Sequence, residues 1–389
     1  EETVRRLEKH PCVCYWTIFN EGWGQFDSQA QFERLRAQEG LDCLRALAPD
    51  VLKLAACAGV IVIHCSGYGL TLFEAGSFDW LACAFWDSLA RFAVPLFFMC
   101  TGALMLDPAR RLTGRDIFRR YFLRVLVILL VWAWLYYVYG VVGTYIFTGW
   151  LEPDWLLNSV VHTLCFDHHV HLYYLQILLL IYALLPVLRA LVRGATEREL
   201  NWALIVWAAL GICWPLLKLW PPISWMGGIT PQYPLNMCWA AAGYALLGQV
   251  MNTREPGRAG RWAALFVLGF AVTFGGTVLL SLAEGELFLG FMEGMSPGPA
   301  LMACGLFSAA RSRFAGRESS PRTARLVKAS FCVYLAHHAF VMAFRQLGFD
   351  LTVMPALIAV PVEGAAVFAL SLAAWWLLSK IPFVNKHLI

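Results

Sequence analysis

Ten apolar stretches, each long enough to cross a bilayer at about 20 residues per helix, leave this chain few folds. They lie near 51–69, 83–106, 121–147, 172–192, 202–220, 235–251, 262–282, 288–310, 329–347 and 353–379. Hydrocarbon offers no water to hydrogen-bond a backbone, so each stretch must satisfy its own N–H and C=O groups and is predicted to be a helix. The expected fold class is all-α, a polytopic membrane protein of about ten transmembrane helices. The connections, taken alternately, divide the basic residues. One set holds the N-terminal segment, Arg110, Arg111, Arg115, Arg119 and Arg120, then Arg189, Arg193 and Arg198, then Arg254, Arg258 and Arg261, then the cluster from Arg311 to Lys328, and finally Lys380 and Lys386. The other set has no Lys or Arg in 70–82, 148–171, 221–234 or 283–287, and only Arg345 near its last member. By the positive-inside rule both termini are expected in the cytoplasm, of a bacterial-type plasma (inner) membrane.

Composition agrees. With 59% hydrophobic and 14% charged residues the chain has too little polar surface for a soluble globule of 389 residues, and 17 Trp with 13 Tyr suit interfacial aromatic belts. The net charge of +4 follows from loop topology, so no nucleic-acid partner is expected; the partner is the lipid bilayer itself. The 12 cysteines are scattered, mostly one per span, where a free thiol behaves as a small hydrophobe; no disulfide framework is implied. Cys12 and Cys14 lack a second pair and do not make a zinc motif. Residues 1–50 are charged and hold no isolated apolar core, so no cleavable signal peptide is expected.

The chain divides at about residue 48 into a short cytoplasmic segment (1–48) and a ten-helix membrane domain (49–389). The run HPCVCYWTIFNEGWGQFDS, His10 to Ser28, resembles the acid/base region of glycoside hydrolase family 2 enzymes over about residues 3–37. Asn20 and Glu21 match its Asn-Glu dipeptide, and His10, Pro11 and Trp16 its approach. A retaining glycosidase needs two carboxylates about 5 Å apart on a barrel of roughly 250 residues. No further barrel strand follows, so 1–48 is not expected to be an independent domain. A chain opening on Glu1 fits a truncated or joined reading frame as the source of this fragment.

Chemistry is expected from ionisable residues inside the membrane, which cost about 2 kcal/mol or more unless they face a polar interior. Lys53 lies at the cytoplasmic mouth of the first span, and His64 is eleven residues on, about 16 Å along a helix. That puts an imidazole in the outer half of the membrane, as a catalytic base or as a neutral interhelical hydrogen-bonder. Arg91, eight residues into a span of opposite direction, is expected at similar depth, either binding substrate or paired with Asp87 one turn earlier. Arg119, Arg120 and Arg124 enter the third span from the cytoplasm; Arg120 and Arg124, four apart, are predicted to share a face. His337, His338 and Glu363 fall near the midplane of their spans, as interhelical bonds or as partners of His64, with Glu363 orienting an imidazole. His162, Asp167, His168, His169 and His171 form an outer cluster whose spacing matches no recurrent metal site, so no metal is expected.

Several stretches occur in a family's order. DVLKLAACAGVIVIHCS (50–66) resembles the opening helix of acyltransferase family 3, with Lys53 where arginine is usual, followed by its histidine, His64. RFAVPLFFMCTGALML (91–106), FRRYFLRVL (118–126), HLYYLQILLLIYALLPVL (171–188) and FCVYLAHHAF (331–340) are similar to its second, third, fourth and ninth helices. The closing IPFVNKHL resembles ten-helix members of the enterobacterial common antigen O-acetyltransferase type. The resemblance implies a membrane O-acyltransferase moving an acyl group, acetyl above all, from cytoplasmic acyl-CoA (acetyl-CoA as co-substrate) to a hydroxyl of a glycan or glycolipid acceptor. It implies His64, with Glu363 and His337, as catalytic residues. Lys53, Arg119, Arg120 and Arg124 would hold the phosphates of the donor, and Arg91, Asp87 and His171 would contact the acceptor. An acyl-imidazole on His64 is the competing mechanism. A multispan transporter or flippase is the rival class, although no internal repeat and no matched pair of Gly/Pro-broken helices is found.

Overall fold

The computed structural model describes residues 47–389 apart from 109, 111, 167–169, 221–223, 225–236, 256–258 and 316. The glycosidase-like run with Asn20 and Glu21 lies outside the described residues, as do Asp167, His168 and His169.

The apolar runs are helical. In chain order α1 is Leu47–Ser66, α2 Phe78–Ala90, α3 Ala93–Met105, α4 Leu123–Thr148, α5 Trp155–Leu164, α6 Tyr173–Gly194, α7 Glu197–Trp207, α8 Met237–Thr253, α9 Ala259–Glu284, α10 Pro297–Phe314, α11 Pro321–Gln346 and α12 Ala356–Leu378. Polar residues mark the starts. The Ser77 side chain accepts from the Trp80 amide to open α2, Thr196 and Glu199 form a capping box before α7, and Ser320 caps α11 with Pro321 in its first turn. Gly149, at φ +72°, ends α4 in the left-handed conformation that glycine takes without strain.

Eight helical segments among the described residues are long and apolar enough to cross a membrane. The two other expected spans are helical in part, the one near 288–310 only from Pro297 onward. α8 has 17 residues, and α10 has 18 and carries Arg311 and Arg313 in its last turn, so neither reaches the length and apolarity of the eight.

The second expected span differs more. It comprises α2 and α3, broken at Arg91 and Phe92. Pro95 gives the reason: it has no N–H to donate to the Arg91 carbonyl, and its ring crowds the carbonyl four residues back. Helical bonding resumes with Leu96 donating to the Phe92 carbonyl at 2.9 Å. The third span begins with a π-helical stretch, Ile117–Phe122, that carries Arg119 and Arg120.

α1 is the hub of the bundle, packed by α2, α3, α10, α11 and α12. Between helices in lipid, close packing replaces the hydrophobic drive, and small residues permit it. α3 and α8 meet through Gly102 and Gly248. A Cβ on Gly102 would lie 1.7 Å from the Ala245 carbonyl oxygen, and one on Gly248 2.0 Å from that of Met99. The outward sides of α4, α7 and α9 expose Val127, Leu135, Trp202, Ile205, Val267 and Leu279, as lipid-facing helices should.

Candidate functional site

Helix geometry aims the two ends of His64 at different neighbours. A helical side chain tilts toward the N-terminus, while its carbonyl points toward the C-terminus. His64 sits in the last turn of α1, where carbonyls run out of intrahelical partners. Its ring meets His337 and His338 of α11, with centroids 5.2 and 5.0 Å away. Its carbonyl accepts a 2.7 Å hydrogen bond from Arg345, two turns further along α11. One helix thus holds the imidazole from one side and the main chain from the other.

His171 completes a four-histidine cluster. It lies in the short 3-10 turn before α6, buried, with its ring centroid 6.1 Å from His64, 5.4 Å from His337 and 4.8 Å from His338. The Tyr334 hydroxyl donates to the His171 carbonyl at 2.5 Å, and His337 Nδ1 lies 2.6 Å from the Tyr334 carbonyl. The Tyr136 ring of α4 packs edge-on to His171 at 4.6 Å. His337 is fully buried, and its Nε2 has no hydrogen-bond partner among the described residues. His64 and His338 are half-buried.

Charged groups surround the cluster without joining it. Asp87 and Arg91 make the ion pair their spacing predicts, and Ser66 Oγ donates to the same carboxylate at 3.4 Å. Arg91 occupies the break between α2 and α3, with Met292 Sδ 3.9 Å from its Nη2. Arg91 and Arg345 both lie within electrostatic range of the His64 ring. Arg345 also stacks over Tyr68, 4.5 Å from the ring centroid.

Glu363, buried on α12, lies beside the Cys65 thiol and near Arg345; no hydrogen bond joins it to a histidine ring among the described residues. Glu363 thus adjoins Cys65, the residue after His64, and Arg345, which donates to the His64 carbonyl.

The expected donor residues divide. Arg119 and Arg120 are exposed, and Arg120 turns back to Asp116 at 3.5 Å; Arg124 is half-buried. Arg120 and Arg124 thus have different surroundings despite their spacing. Lys53 is only 4% exposed, inside the bundle near Asp50 and Cys100, and fits an external phosphate less well than the three arginines. His162 packs on Tyr137 at 5.2 Å, apart from the cluster. Among the described residues no group of His, Cys, Asp and Glu is arranged to hold a metal ion.

Sequence reasoning did not single out Arg345, Tyr136, Tyr334 or Cys65. Arg345 carried a signal, as the sole cation near the last outer connection. The tyrosines stand among other aromatics in apolar helices and carried none.

A family model described as an acyltransferase domain, that of acyltransferase family 3, matches residues 47–380. No curated protein and no solved structure matches the chain at a significant level.

Proposed function

The chain belongs to acyltransferase family 3 and is a membrane-embedded transferase of acyl groups, and on that premise we propose that it O-acylates a glycan or glycolipid hydroxyl using cytoplasmic acyl-CoA, with acetyl-CoA the first donor to test. The observation that carries this reading is the His64 ring among three further imidazoles, five to six ångströms away by centroid. A neutral imidazole in a polar pocket of an apolar bundle is suited to take a hydroxyl proton.

The acceptor hydroxyl loses its proton to His64 as its oxygen bonds to the thioester carbonyl carbon. The tetrahedral intermediate then collapses with cleavage of the C–S bond. The leaving CoA sulfur takes the proton back from the imidazolium, giving the ester, free CoA thiol and neutral His64. His337 and His338 hold the ring, and Arg345 fixes its main chain. Arg91, anchored by Asp87, and His171 face the acceptor. Arg119, Arg120 and Arg124 bind the diphosphate and 3′-phosphate of the donor by charge-assisted hydrogen bonds. This assignment places the basic ends of the helices, with both termini, in the cytoplasm of a bacterial-type inner membrane.

The test is thiol release from acetyl-CoA by the purified chain with a mixed glycan pool, for wild type, His64→Ala and a form lacking residues 1–48. Release that disappears in His64→Ala and survives the truncation supports the reading. Aryl-glycoside cleavage abolished by Glu21→Gln would instead favour the glycosidase fragment.

A further inference from the structure

The α4 helix reaches the histidine cluster through Tyr136, and the way its hydroxyl is bonded is unusual. The hydroxyl donates to the Leu335 carbonyl at 2.7 Å and accepts from the Ala339 amide at 3.2 Å. Those two groups are four residues apart on α11, the spacing at which a helix bonds to itself. The hydroxyl therefore bridges an i, i+4 pair, a side chain set against the main-chain ladder. Between Leu335 and Ala339 lie His337 and His338.

Consecutive residues of a helix point about 100° apart at 3.6 residues per turn. Two neighbouring histidines flank a third ring only if their turn is held at one rotation. Here the His337 and His338 centroids are 6.1 Å apart and close a triangle with the His64 ring, 5.2 and 5.0 Å from it. The Tyr136 ring, buried, also packs on His171 and lies 6.3 Å from His338. One side chain thus touches the turn that carries two of the imidazoles and the ring of a third.

We propose that Tyr136 is a positioning residue, whose hydroxyl sets the rotation of the His337–His338 turn and so the placement of both rings around His64. The assignment rests on the acyltransferase reading for its kinetic consequence, but its geometric consequence stands independently. Tyr139, one turn along α4, provides a control. Its hydroxyl reaches the Ala339 carbonyl at 3.4 Å and Gln346 at 3.1 Å, so it ties the same two helices without entering the turn that holds the histidines.

The experiment compares wild type, Y136F and Y139F as full chains in native membranes and after purification. Two readouts are taken: kcat and KM for acetyl-CoA from thiol release, and the rate at which diethyl pyrocarbonate modifies each histidine, read by peptide mass. Y136F is expected to lower kcat by about tenfold to a hundredfold, the cost of a small misplacement, with donor KM unchanged. It is also expected to label His338 severalfold faster. Y139F is expected to match wild type in both. Wild-type kcat and labelling in Y136F, or equal losses in the two variants, would overturn the proposal.

Replacing Tyr136 with 4-aminophenylalanine, which still donates to Leu335, is expected to retain most of kcat and the wild-type labelling pattern. It carries the test should Y136F not fold, and loss of both readouts there is contradictory. Failure of wild type to release thiol would sink the acyltransferase reading while the labelling still decides the role of Tyr136.

Discussion

The bundle contains two kinds of polar interior, and they use their side chains in opposite ways. Among the basic connections, arginines are consumed by the ends of neighbouring helices. Arg189 donates to the carbonyls of Met105, where α3 stops, and of Arg110. Arg311 does the same for Met251 near the end of α8 and for Arg254. Arg110 in turn donates to the Tyr121 hydroxyl at 2.5 Å. These cations complement helix C-termini, where carbonyls lack intrahelical donors and the dipole is negative. The histidine cluster is built otherwise: four rings packed against one another, main-chain carbonyls gripped from outside by Arg345 and Tyr334, and the Nε2 of His337 without a hydrogen-bond partner among the described residues. Arginines turned onto helix ends fix a fold, whereas imidazoles held by their surroundings keep nitrogen chemistry available.

Substitutions separate the two regions. The largest effect is expected from His64→Ala, with kcat lower by at least about a hundredfold and up to ten-thousandfold and a thermal midpoint close to wild type. Loss of folding in that variant would break the distinction. Arg189→Ala should do the reverse. Two charge-assisted bonds to buried carbonyls disappear, costing about 3 kcal/mol in denaturant titrations in detergent, while kcat per folded molecule stays the same.

Arg345 straddles the comparison, since it caps α1 as Arg189 caps α3 but does so at His64, within the histidine cluster. Arg345→Lys keeps the charge and loses the planar fork, so a stability loss of about 2 kcal/mol should accompany a kcat roughly tenfold lower. Stability loss with unchanged kcat would reassign it to the purely structural group. The smallest effects are expected at the arginines proposed to bind the donor. Arg124→Ala should raise the acetyl-CoA KM about tenfold, equivalent to about 1.4 kcal/mol. Arg120→Ala should shift it less than about twofold, because an exposed pair such as Arg120 with Asp116 contributes little.

Much of this was legible in the sequence. Helices had to form because lipid allows little else, and intramembrane charge cost marked His64, Arg91, His337 and Glu363 before any packing was known. The Asp87–Arg91 pair followed from spacing on one helix. The break beside it did not, although Pro95 was its cause. It was hidden because the residues around Pro95 are uniformly apolar and read as one continuous span. The convergence of His64, His171, His337 and His338 depends on how three distant segments pack, which no spacing encodes. Tyr136 and Cys65 were invisible for the same reason, and the proximity of Glu363 to Cys65 likewise depends on packing.

The most direct measurement follows the acyl group itself. The chain is reconstituted in nanodiscs with extracted membrane glycolipid and supplied with acetyl-CoA labelled in the acetyl group. The account predicts label on an acceptor hydroxyl, matched one for one by free CoA thiol, and neither in His64→Ala. An intact thioester, with glycolipid moving between leaflets in wild type and His64→Ala alike, would contradict it and mark the bundle as a transporter.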